Sequence, residues 1–176
     1  AVGPFVPHRF NVDVTQGCSA SGKSAFSYSG KPFTTKVTAL NADGAVTLNH
    51  DGRSAMSAYF AKAATLSGVS STGSAGSLTG TAVAASDFAK GVATVTPTYA
   101  FTAKATAPAS ITLSAAENAP GTVNSSAGSS GVAQVRSGRL FLSNAFGSGR
   151  APLDVPAQLQ YWSGKAWVLN SDDHNC

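Results

Sequence analysis

Along most of the chain, apolar and polar residues alternate with a period of two. In Tyr99-Ala100-Phe101-Thr102-Ala103-Lys104-Ala105-Thr106, the residues Tyr99, Phe101, Ala103 and Ala105 fall on one side, the signature of a strand buried on one face. Residues 33–39 repeat the pattern, and Asn41-Ala42-Asp43-Gly44 then supplies turn chemistry ahead of 45–48, which predicts a hairpin. Further strands are predicted at 25–28, 78–84, 92–95, 111–113 and 136–143. Their close, regular spacing is that of all-β domains.

Near the end, 157–162 and 166–169 flank Ser163-Gly164-Lys165 and form the strongest hairpin signal in the chain. Gly164 suits the positive φ of a tight turn, and aromatics on both arms are placed to pack across the strands. Only 57–66 reads as a helix, with Ala58, Ala61 and Ala64 set around Phe60 and Ala63. Two Gly/Ser-rich stretches, 67–77 and 118–131, read as loops. The tail beyond the second loop is short for an independent core, so the expectation is one domain over 1–176. Its predicted fold is an antiparallel, immunoglobulin-like β-sandwich with a C-terminal hairpin.

Composition sharpens this reading. Charged residues make up 11% of the chain, against roughly 25% in ordinary soluble domains, so the surface polarity must come from neutral groups. The 24 Ser and 16 Thr supply it, while the helix former Glu occurs once, at Glu117. The net charge of +4 arises from scattered single Lys and Arg residues; without clustering they make a poor phosphate-binding surface, and nucleic acid is not expected as a partner. The longest apolar runs fall well short of the ~20 residues that span a bilayer, so direct membrane insertion is not expected either. An export signal is expected to have been removed or to lie upstream.

The two cysteines, Cys18 and Cys176, form no CxxC and cannot build a zinc site alone. Two buried free thiols are the plain alternative to a disulfide. The polar run Ser171-Asp172-Asp173-His174-Asn175 before Cys176 is a poor setting for a buried hydrophobe and favours the disulfide, which implies an oxidising compartment.

Catalytic constellations are weak. No G-x-S-x-G occurs, and His8, His50 and His174 are widely separated among so many serines that proximity to one carries little weight. Asp13, Asp43, Asp51, Asp87 and Asp154 read as turn or strand-end residues rather than a glycosidase pair. Asp172, Asp173 and His174, and separately the Asn41 to Gly44 turn, offer too few oxygens for calcium, so no metal or cofactor is expected. Arg136 and Arg139, with Phe141, Tyr161, Trp162 and Trp167, suggest an interaction stripe able to stack on sugars or anchor a protein. The plainer reading divides these aromatics between the core and the edge of the last hairpin.

The block Gly138-Arg139-Leu140-Phe141-Leu142-Ser143-Asn144-Ala145-Phe146-Gly147-Ser148, followed by Leu153, Pro156, the run from Gln160 to Asn170 and finally Asp173 to Cys176, resembles the C-terminal domain of MshQ-type proteins. Those proteins are linked to the mannose-sensitive haemagglutinin, a type IV pilus system. Gly3 to Pro7 with Phe10, the run Phe26 to Phe33, and Thr38 to Gly44 resemble further segments of that family in order. His8-Arg9 and His174-Asn175 depart from it without bearing on the fold. The resemblance implies a non-catalytic module of MSHA-like pilus biogenesis or adhesion, forming part of a longer exported protein at a Gram-negative cell surface. Its expected partners are other pilus or surface proteins, a second copy, or a glycan; the alternative expectation is a carbohydrate- or metal-binding surface module that uses the exposed C-terminal aromatics.

Overall fold

Val, Thr and Ala recur at alternate positions in the segments that pair, which suits pleated strands buried on one face. The computed structural model describes residues 6–53, 60–118, 123–125, 129–150, 152–174 and 176. Its strands are β1 (Arg9–Thr15), β2 (Ser27–Tyr28), β3 (Thr34–Leu40), β4 (Ala64–Ser70), β5 (Gly76–Thr79), β6 (Ala82–Val83), β7 (Val92–Val95), β8 (Thr98–Phe101), β9 (Ala109–Glu117), β10 (Gly131–Arg136), β11 (Gly138–Leu142), β12 (Ala157–Trp162) and β13 (Trp167–Leu169). The helical content of the described residues is a single 3₁₀ turn at Ala85–Asp87.

Two sheets face each other, in the orders β1-β3-β7 and β2-β10-β9-β4-β6. Setting β2, β5, β6 and β8 aside, the strands read A, B, E on one side and G, F, C on the other, the immunoglobulin-like arrangement. Strand β2 is added parallel along β10, whereas the other ladders are antiparallel. The facing sides of both sheets supply one contiguous core. Phe10 and Val12 of β1, Val37 and Ala39 of β3 and Ala93 of β7 meet Leu66 of β4, Ile111 and Leu113 of β9 and Val135 of β10. Strand β1 is satisfied on both edges: beyond its ladder to β3, Phe10 N–H donates to the Asn124 carbonyl at 3.0 Å and Val12 N–H to that of Ser129 at 2.8 Å. This closes one side of the sandwich.

Several expectations need correction. The helix expected at 57–66 is not formed where the chain is described: residues 57–59 lie outside the described residues, and Ala64 to Leu66 begin β4, pairing with β9. Alanine fits either element, and the ladder to β9 decides the outcome. The loop expected at 67–77 is largely strand, with 67–70 completing β4 and 76–77 opening β5; the Ser67 and Ser114 hydroxyls, 2.8 Å apart, show how small polar residues pair across it. Within 118–131, Asn124 and Ser125 form bridges and Gly131 starts β10. The long strands expected at 78–84 and 136–143 are each two, broken at Gly80-Thr81 and at Ser137. Strand β8 ends at Phe101, so Ala103 and Ala105 do not continue its face, and 45–48 contributes only the bridge Leu40–Val46. Strand β1 has no counterpart among the predicted strands, although Phe10, Val12 and Val14 alternate.

The Cys18–Cys176 disulfide links residues 158 positions apart, with Cα atoms 5.3 Å apart. Closing so long a loop stabilises on chain-entropy grounds by about 5 kcal/mol, an upper figure in practice. Denaturant unfolding with and without reductant, and of Cys18→Ser, should therefore show a loss of a few kcal/mol and melting several degrees lower. Unchanged midpoints would refute the disulfide's role.

Candidate functional site

The C-terminal residues form a separate three-stranded sheet in the order β11-β12-β13. Its hairpin closes through Ser163, whose N–H donates to the Ala166 carbonyl at 2.9 Å, with Gly164 at φ +100°. The register pairs Arg139 with Gln160, Leu140 with Leu159, and Trp162 with Trp167. Because side chains alternate, Arg139, Phe141, Gln160, Trp162 and Trp167 share one face, while Leu140, Leu142, Leu159, Tyr161 and Val168 share the other.

On the first face, the Arg139 guanidinium lies 4.4 Å from the Trp167 ring centroid and 5.4 Å from that of Phe141. Its Nε and Nη2 both donate to Gln160 Oε1, at 2.9 and 2.8 Å. Trp162 meets Trp167 edge to face at 5.5 Å. The sheet thus fixes one arginine by stacking and hydrogen bonding. An open cleft of about 300 Å³ lies beside it, lined by Ser29, Phe101, Lys104, Ser137, Arg139 and Trp167 among others.

The structure places Arg136 elsewhere, at the joint between sandwich and sheet. Its side chain is only 15% exposed and lies over Phe26 and Tyr161, at 4.4 and 4.9 Å from their centroids. Nη1 donates to Asn170 Oδ1 at 2.8 Å and Nη2 to Asp172 Oδ2 at 2.9 Å. Asn170 Nδ2 donates onward to the Tyr28 hydroxyl at 2.7 Å, and that hydroxyl donates to Asp173 Oδ2 at 2.6 Å. The Arg136 hydrogen bond holds the Asp172 carboxyl below its usual range. Burial first, and then donation to Asp173, push Tyr28 up to about 12. Beside this network a methyl group at Gly138 would collide with the Tyr28 ring, so β11 leaves the joint through a glycine. Sequence reasoning missed Tyr28, Asn170 and the roles of Asp172 and Asp173; a pair of adjacent carboxylates near a cysteine was the available signal.

On the second face Leu140, Leu142 and Leu159 lie side by side at 62%, 57% and 41% exposure, while Phe141 and Leu169 are exposed on the first. Among the histidines, His8 and His174 are exposed, whereas His50 is fully buried against Phe10, Phe60 and Phe88. Neither of its ring nitrogens has a hydrogen-bond partner among the described residues. No group of three or more His, Cys, Asp or Glu among the described residues is placed to hold a metal ion.

Fold and site together define a disulfide-closed, immunoglobulin-like sandwich that displays an arginine- and aromatic-bearing sheet. The chain belongs to the DUF6701 family: the family's third-domain model matches residues 1–138 and its fourth-domain model residues 136–176. The two units meet at the break between β10 and β11, where Arg136 sits. No curated protein and no solved structure matches the chain.

Two pH effects follow. Burial, opposed by Glu117 and reinforced by Lys62, holds His50 below its ordinary value. Stability should therefore be level above about pH 6.5 and fall as the pH drops below it, because the unfolded chain then takes up a proton that the folded one resists. His50→Leu should flatten that limb in melting curves between about pH 7 and 5; an unchanged slope would count against it. The raised Tyr28 acts in the opposite direction, stabilising below about pH 10, with that contribution lost as the pH climbs toward 12. Phenolate absorbance should show a late-titrating component that is missing in Tyr28→Phe.

Proposed function

We propose that this chain is a non-catalytic structural and interaction module, exported and working outside the cell, whose C-terminal sheet is its contact surface. The observation that carries the reading is the cluster of Leu140, Leu142 and Leu159, side by side on a sheet face open to solvent. Contiguous exposed apolar surface on a well-anchored element is characteristic of protein contact sites. Support for export comes from the disulfide, which suits an oxidising compartment. Among the described residues, no helix is long and apolar enough to cross a membrane.

The resemblance of the 138–176 block to MshQ-type proteins supports a narrower version of this reading. In it, the sheet serves MSHA-like type IV pilus biogenesis or adhesion at a Gram-negative surface, and its partners are pilus or cell-surface proteins, a second copy included. A photo-crosslinking residue at position 140, 142 or 159, in protein displayed by its own cells, should give defined protein adducts. The same probe at Val69 or Val132, exposed apolar positions on the sandwich, should give several-fold less. Equal yields at all five positions, or none at the sheet, would overturn the contact surface. Turnover in an esterase, peptidase and glycosidase panel that disappears on one Ser or His substitution would overturn the non-catalytic reading.

A further inference from the structure

We infer that the cleft beside Arg139 and Trp167 is a binding site for an acidic sugar, with a carboxylate as the recognised group. The inference is independent of the leucine face across the sheet. The cleft's volume of about 300 Å³ sits at the small end of ligand pockets and suits a single ring.

Four polar side chains that line the cleft, Ser29, Lys104, Ser137 and Arg139, offer protons. Arg139 is held in place by Trp167 and Gln160 and keeps Nη1 free of any hydrogen bond among the described residues. No carboxylate among the described residues lies within ion-pair distance of Arg139 or Lys104. Ser29 Oγ already accepts the Phe101 N–H at 2.9 Å, and Ser137 Oγ that of Thr106 at 3.2 Å. Each hydroxyl therefore retains its proton for donation. Two cations and two hydroxyl donors ask for a ligand rich in acceptors and carrying negative charge.

Phe101 and Trp167 supply aromatic lining to the cleft, with Arg139 stacked over the Trp167 ring. A uronate or sialate ring combines the required features: C–H faces for the aromatic lining, hydroxyl oxygens as acceptors, and a carboxylate for the arginine. Its rigidity keeps the entropy lost on binding small. A peptide carboxylate would satisfy Arg139 but offers the aromatic lining no ring.

The test is a fluorescence and NMR titration of the intact chain with galacturonate, glucuronate and N-acetylneuraminate, against galactose and acetyl-dialanine. At least one acidic sugar should bind with a Kd on the order of 1 mM, as expected for one ring at ordinary ligand efficiency. Galactose and acetyl-dialanine should bind at least tenfold more weakly. Arg139→Gln should weaken the acidic sugar about tenfold, and binding should decline with salt. Lys104→Gln, on a turn outside the sheet, should act in the same direction with an unchanged melting temperature. The inference falls if no acidic sugar binds, if galactose or acetyl-dialanine binds as well, or if both variants bind like the parent.

Discussion

The placement of the C-terminal sheet rests on one guanidinium. Arg136 closes β10, and from there it reaches Asn170 and Asp172 beyond the last strand while stacking between Phe26 and Tyr161. A charge this deeply covered persists only when it is paired and hydrogen-bonded. Asp172 and Asn170 meet that condition, and Asn170 carries the network to Tyr28 and Asp173. The sheet has little core of its own: none of β11, β12 or β13 contributes a residue to the buried cluster. Its attachment accordingly relies on the Arg136 joint, with the Phe26 and Tyr161 rings stacked on it, and on the covalent tie.

This division of labour explains how a chain so poor in charge supports two kinds of surface. The sandwich is held by aliphatic and aromatic side chains, and its outer faces carry hydroxyl pairs such as Ser67 with Ser114 and the Ser110–Gln134 contact. Few cations and carboxylates remain, and they are concentrated in function. Arg136 is committed to the joint, whereas Arg139 faces the cleft from the sheet and stays unneutralised among the described residues. Arg136 and Arg139 lie on either side of the break at Ser137, and only the first is committed to the joint.

How much of this was legible in the sequence depended on the range of the interactions. The hairpin β12–β13 was plain because its determinants, Gly164 and the facing Trp162 and Trp167, are local. Strands β3 and β7 announced themselves by alternation. Strand β4 did not, since Ala64, Leu66 and Gly68 carry little preference and the ladder to β9 lies more than forty residues away. The site was legible in the same proportion. Arg139, Trp162 and Trp167 could be grouped by strand spacing, but Tyr28 and Asp173, 145 positions apart, share no sequence signal. Lys104 reaches the cleft from a turn that the alternation of 99–106 had disguised as strand.

The long covalent loop also has a mechanical meaning. Tension applied between residue 6 and residue 176 passes through β1 to Cys18 and then directly across the disulfide to Cys176. Everything from β2 to β13 lies outside that path. Full extension of the loaded segment is limited to ~40 Å, where the unbridged chain would extend to ~580 Å. Under load β1 would be the strand pulled from β3, while the covalent link carries the tension past β2 to β13.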